Sequence, residues 1–341
     1  HFHMSWEQSN DSLIWEVLLQ HGITGVRDMG GDLRVLKRMK RKIHEDPGSG
    51  PEIFGSGPII DGNPPVMYDF TMPVDSLTNI KELLDSLVIQ GSDFFKTYSL
   101  LQEAELAQIA HYSKANHIPF AGHLSEYASP ERSIELGQKS IEHLNRLDDI
   151  WRDDPSRLKK IAALMVQHGT WWCPTLIVYY LKAHLNESSI ANTAYEGFIH
   201  PTLKQEWQNS RDARMNDYDS TDWQEVRHKF KEQQELVAFI LQQGVNLLVG
   251  SDFAGMPYVY PGIGFHEELR QLQAAGISSS QLLEASTIQA ARYLSIDDQF
   301  GSIEAGKYAD MIILEQNPLR DIRNVRAVHQ VYRKGHLVAG Q

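Results

Sequence analysis

The sequence opens on two histidines two residues apart, His1 and His3. On an extended chain both imidazoles project from one face, so a single strand end can offer two nitrogens to one metal ion. Alone the pair is weak, because a leading histidine-rich scrap is more often a tag remnant than a site. Its weight comes from residues downstream that close short apolar runs: Asp28, Lys96, His123, His143 and Asp252. Any one histidine in such a place is more often a satisfied polar side chain than a ligand. If a fold brings all of them to one mouth, burying so many donors and charges is costly without a shared partner, and a metal ion is such a partner. Other histidines, among them His21, His111, His117, His168 and His228, fall in helical or loop stretches.

Lys96 is the odd member. In Phe94-Phe95-Lys96-Thr97-Tyr98 its amine sits among apolar residues, where burial and a nearby cation both disfavour the protonated form. A neutral amine there can react with carbon dioxide to give a carbamate, an anion able to bridge two ions. The competing reading is a salt bridge to a neighbouring carboxylate.

The elements that would carry these residues alternate. A helix capped by Asn10 or Asp11 and carrying Leu13, Ile14, Val17 and Leu18 stops at Gly22, and residues 23–28 read as a buried strand. Further strands are expected at 52–60, 93–98, 118–123, 140–143, 170–177 and 245–252. Helices are expected near 33–43, 80–87, 102–116, 130–137, 156–168, 225–243, 265–275 and 280–294. Seven strands, with His1-Phe2-His3 as the stub of an eighth, predict an α/β fold of the (β/α)8 TIM-barrel type. An open doubly wound sheet would usually announce a glycine-rich phosphate turn after an early strand, and none is present. Residues 1–299 are assigned to the barrel. Residues 300–341 change character, with apolar runs at 311–314, 328–332 and 337–338 that read as short antiparallel strands of a small, incomplete β-sandwich. In a barrel, the strand-end residues named above would share the mouth where chemistry is built.

Composition bounds the partners. The 341 residues are 42% hydrophobic and 22% charged, enough for a large core, and no apolar run of membrane-spanning length exists. A net charge of −12 without an extended basic cluster argues against nucleic acid. The single cysteine, Cys173, excludes an internal disulfide framework and leaves the compartment unread, with the cytoplasm as default. The expected partner is a small molecule.

The pattern His-x-His, Lys, His, His, Asp at successive strand ends resembles the amidohydrolase superfamily. More narrowly, Gly22-Ile-Thr-Gly-Val-Arg-Asp-Met-Gly-Gly31, Phe95-Lys-Thr-Tyr98, Ala121-Gly-His123, Ile141-Glu-His-Leu144, Cys173-Pro-Thr175, Val249-Gly-Ser-Asp252 and Gly301-Ser-Ile-Glu-Ala-Gly-Lys-Tyr-Ala-Asp310 resemble its imidazolonepropionase-like and Xaa-Pro dipeptidase-like branch. That family normally has an N-terminal segment that starts the small β-sandwich and the first barrel strand, so the partners of the C-terminal strands are expected to precede His1. The resemblance implies that His1, His3 and Asp252 bind one ion, that His123 and His143 hold a second, and that carboxylated Lys96 lies between them. Zinc suits this donor set. It further implies hydrolysis of an amide or cyclic amide C–N bond by a water acidified at the ions, with Asp252 as the base. A dipeptide is the alternative substrate.

Substrate clues are thinner. The stretch after the seventh strand holds Tyr179, Tyr180, Tyr195, Trp207, Tyr218 and Trp223, either as a cover over the mouth or as a helical pair packing its own aromatics. Tyr98, on the face of Lys96, and Tyr258, in the loop after Asp252, are the expected substrate contacts; Trp171 and Trp172 read as core. Arg27 and Arg146 are the candidates to clamp a substrate carboxylate. Two other classes stay open, an inactive fragment or homologue and a metal-independent sugar or phosphate barrel enzyme.

Overall fold

Eight parallel strand segments form a ring in the structure, a computed structural model that describes residues 1–3, 11–191 and 193–340. Gly25–Asp28 pairs with Glu52–Gly55, and Ile59–Gly62 pairs with Phe95–Thr97. Phe120–Gly122, Ser140–Glu142 and Trp171–Cys173 follow in order. Leu247 bridges to Trp172, and Phe2 bridges to Asp28 on one side and Phe253 on the other. Phe2 thus joins the two ends of the sheet into a closed barrel, which excludes the open doubly wound alternative. The strands are buried on both faces, as expected where helices wrap the outside.

Three expected strands differ in detail. The run 52–60 is two strands, because Pro58 has no N–H to donate and the chain bends at Ser56-Gly57-Pro58. The Asp93 and Tyr98 amides bond Gly55 and Ile60 across the break at 2.9 and 3.0 Å. The run 170–177 is a strand only to Cys173, and Leu176–Ala183 is a helix. A continuous apolar run does not distinguish a buried strand from a buried helix; Pro174 and Thr175, at φ 47°, end the extended stretch. The segment 245–252 follows the barrel with isolated bridges instead of a ladder. Gly250 passes so close to Cys173 Sγ and His1 Cβ that a Cβ there would lie 2.6 Å from each.

Helices follow the sequence closely. In Leu33–Glu45 the Asp32 side chain accepts from the Arg34 amide, and Leu33, Leu36, Met39 and Ile43 bury one stripe. The first helix is Asp11–Gln20; the cap expected at Asn10 lies outside the described residues. The expected 280–294 helix is two, Ser279–Ser286 and Ile288–Leu294. The aromatic stretch forms Pro201–Asp217 and Ser220–Gln242. Among the described residues no helix is long and apolar enough to cross a membrane.

Met311–Leu314, Val328–Arg333 and His336–Gly340 make an antiparallel sheet. It is tied to the start of the third barrel strand by the buried Arg333, which donates to the carbonyls of Pro47 and Gly50 and to Glu52 Oε2 at 2.7 Å.

Candidate metal centre

The ring places His1, His3, Lys96, His123, His143 and Asp252 at the carboxyl ends of five different strands, every one buried. The imidazole centroids of His1 and His143 lie 4.8 Å apart, those of His123 and His143 4.7 Å, and those of His1 and His3 5.3 Å. Asp252 Oδ1 lies 3.2 Å from His1 Nε2 and 3.3 Å from His3 Nε2. His1, His143 and Asp252 can direct ligand atoms to a common point. His143, Thr175 and Asp252 have φ values of 69°, 47° and 59°, a region costly for residues with a Cβ and found mostly at functional sites.

The far nitrogens of the rings are held by named partners. His1 Nδ1 lies 2.8 Å from Glu142 Oε2, and His3 Nδ1 donates to the Gly30 carbonyl at 3.2 Å. His123 Nδ1 meets Ser99 Oγ at 3.0 Å, and His143 Nδ1 meets Thr175 Oγ1 at 2.6 Å. Burial pushes His3, His123 and His143 below the ordinary imidazole value, so neutral rings are available as ligands. Burial acts against ionisation of Asp252, while charge on His143 and then on His1, wherever those rings are protonated, pulls its carboxyl well below the usual range.

Lys96 Nζ is buried and has no hydrogen-bond partner among the described residues. The salt bridge offered as its alternative role is therefore not made. Burial brings its pKa down to about 8, against the pull of Glu142 and Asp252. Together with His1 Nε2, likewise buried and without a hydrogen-bond partner, it gives a donor set that fits a divalent metal and a carbamate.

Two expectations are corrected. Arg27 is no substrate clamp, because both of its outer nitrogens are taken by Glu142, Ser140 and Tyr293. Arg146 donates to the carbonyls of Ser125 and Ala128. Tyr179, left open between a cover and a packed helical pair, donates to Asn145 Oδ1 and accepts from the Leu144 amide, bracing the strand end beyond His143. Asp28 ends the strand Gly25–Asp28 as expected, buried and bridged to Phe2. Trp172 is core, and its indole N–H donates to the His143 carbonyl at 2.8 Å.

Tyr98 stacks on His123 with ring centroids 3.9 Å apart. Tyr258 packs on Trp207 at 5.7 Å and beside Arg211. With Trp207, Tyr260 and Ile199 it lines a cavity of about 360 Å³, at which Glu196 pairs with Lys204.

Sequence reasoning passed over Glu142, Thr175 and Glu268. Glu142 had a signal, since a carboxylate inside the buried run Ser140–Glu142 must find a partner. Glu268 had none: it lies on Ile263–Ala274 and accepts from the Leu176 and Ile177 amides at 2.9 and 2.6 Å, fixing the helix that begins beside Thr175. Burial raises its carboxyl to about 8.

Comparison with known proteins agrees with this architecture. A bottromycin amidohydrolase shares the fold at a TM-score of 0.79 with 20% identity, over 96% of this chain and 74% of that one. A prolidase-like protein from Bifidobacterium longum gives 0.73 and 20%, over 99% and 78%. A 5-methylthioadenosine/S-adenosylhomocysteine deaminase from Teredinibacter turnerae is 33% identical over 88 residues, 24% of this chain and only 20% of the deaminase. The Amidohydrolase family profile matches residues 14–338. This family generally binds divalent metals. With the family's profile covering nearly the whole chain, and its barrel and histidine mouth both present, this protein belongs to the amidohydrolase family.

Proposed function

We propose that the chain is a zinc-dependent hydrolase that cleaves an amide or cyclic amide C–N bond of a small molecule. The observation that carries this reading is the pair of buried nitrogens that make no hydrogen bond among the described residues, Lys96 Nζ and His1 Nε2, the latter 3.2 Å from Asp252 Oδ1. His1, His3 and Asp252 would hold one ion, His123 and His143 a second, with carboxylated Lys96 between them. When bound, the ions supply Lewis acidity toward the substrate carbonyl and acidify a water.

The chain's own residues do the rest. Asp252 takes the proton of the attacking water at Oδ and delivers it to the leaving nitrogen. Tyr98 lies against His123 and offers a hydroxyl to a substrate oxygen. Tyr258, Tyr260 and Trp207 offer apolar wall to the part of the substrate away from the bond.

A dipeptide substrate is favoured by one observation. Lys182, half-buried on the helix leaving the seventh strand, lies over the Tyr179 ring at 5.1 Å and makes no ion pair among the described residues. Its ammonium can receive a substrate carboxylate.

The test is elemental mass spectrometry of protein purified without chelator, followed by hydrolysis assays on cyclic amides, N-acyl amino acids and dipeptides. About two zinc ions per chain and release of amine support the reading. No metal after supply of zinc and bicarbonate overturns it.

A further inference from the structure

We propose that Glu142 is the positioning residue that fixes His1 as a metal ligand, and that Arg27, Ser140 and Tyr293 hold Glu142 in that role. The inference rests on the metal-centre reading above and adds to it a control over one ion of the pair. The four side chains come from three elements. Ser140 and Glu142 lie on one strand, Arg27 on the second barrel strand, and Tyr293 on the helix Ile288–Leu294.

Both oxygens of Glu142 accept from Arg27 Nη2 at 2.8 Å, and Oε1 also accepts from Ser140 Oγ at 2.5 Å. Arg27 Nη1 donates to Ser140 Oγ at 2.8 Å and to Tyr293 Oη at 2.6 Å. All four residues are buried. A buried ion pair is weak evidence for stability, since well-packed apolar residues in its place are often neutral or better. What this pair does is visible at its open end, where Glu142 Oε2 meets His1 Nδ1 at 2.8 Å.

An ionised carboxylate accepts only, so it draws the imidazole proton to Nδ1 and leaves a lone pair on Nε2. It also orients the ring and raises the basicity of that nitrogen. His1 Nε2 is the atom with no hydrogen-bond partner, 3.2 Å from Asp252 Oδ1. The other three rings are held differently: His3 by a backbone carbonyl, His123 and His143 by hydroxyls. The His1 ring has an anion, Glu142, at its far nitrogen. The ion bound through His1 is therefore the more tightly held, and Glu142 sets that difference.

The experiment measures zinc affinity of the metal-stripped full chain by competition with a chromophoric chelator, with circular dichroism of the stripped protein as the folding control. Glu142→Gln keeps the size and an acceptor oxygen and removes the charge. The tighter zinc step is expected to weaken about 10–100-fold while the weaker step holds. Unchanged affinity in the folded variant, or equal weakening of both steps, overturns the proposal; the second result is what a merely structural role would give. Because Glu142→Gln strands the Arg27 charge, Ser140→Ala is measured beside it, keeping both charges and deleting the hydroxyl. It is expected to weaken the same step by about 3–10-fold, and no change overturns the relay. If the wild-type chain takes up no zinc, the metal-centre reading falls and this inference with it. If it binds zinc and the variants match it, this inference alone falls.

Discussion

His1 Nε2 and Asp252 Oδ1 face each other at 3.2 Å, inside the barrel mouth and away from water. With the imidazole proton drawn to Nδ1 by Glu142, two electron-rich atoms confront one another, and a cation between them satisfies both. The first strand and the last segment of the barrel supply the two atoms, so an ion bound there would also be a clasp where the ring closes.

Asp252→Asn removes the group assigned to proton transfer while keeping its shape. Turnover of whichever amide substrate is found should fall about 10²–10⁴-fold, with the circular dichroism spectrum unchanged. Near-normal turnover would remove Asp252 from its role.

Lys96 gives a prediction about stability with a definite sign. Its folded-state pKa of about 8 lies below the reference value of 10.5. Below pH 8 both states carry the proton and the folded chain bears the full burial penalty. Between pH 8 and 10.5 the unfolded chain binds more protons, so this group's contribution to stability rises with pH. Metal-stripped protein in carbonate-free buffer should lose that rise on Lys96→Met, and the variant should be more stable at pH 7, by up to about 3 kcal/mol. The same variant should show no carbamate signal in carbon-13 spectra with labelled bicarbonate. Lower stability of Lys96→Met at pH 7 would contradict the sign.

Lys182→Met separates the two substrate classes. For dipeptides and N-acyl amino acids it should raise KM about tenfold, the value of one charge-assisted hydrogen bond, and for a neutral cyclic amide it should leave KM alone. Equal effects on both would show that the ammonium does not read a carboxylate.

Gly122→Ala tests the scaffold beneath His123. At φ 148°, with the Thr97 carbonyl oxygen 2.0 Å from where a Cβ would stand, no relaxation short of moving a strand admits the methyl group. Chemical denaturation should show a loss of about 3 kcal/mol or more. A loss under ~1 kcal/mol would mean that the strand pair is looser than its geometry.

The candidate positions at the mouth were legible because each is a polar residue ending an apolar run, and strand ends in a barrel converge. Lys96 and His123 stand out in this way against Phe94-Phe95 and Phe120-Ala121. Partners were not legible, since they depend on which strand lies beside which. Arg27 looked free in sequence and is committed to Glu142, 115 positions away. Glu268 reaches across 92 positions to the Leu176 amide. The helix Leu176–Ala183 was missed because Leu-Ile-Val-Tyr-Tyr-Leu has the composition of a strand, and the turn at Thr175 has no side-chain signature. The third strand was read as continuous although Gly55-Ser56-Gly57-Pro58, a turn-forming run, interrupts its apolar residues.

Phe2 pairs with both Asp28 and Phe253, and the Asp252 amide bonds the His1 carbonyl at 3.0 Å. On the ribosome, the opening residues must therefore wait while some two hundred and fifty others emerge before the last segment arrives to meet them. Until then His1 and His3 have only one neighbouring strand. A nascent chain halted before Asp252 would carry the four mouth histidines and Lys96 but no enclosed place for an ion, so any metal loading there would wait until synthesis of the barrel is nearly done.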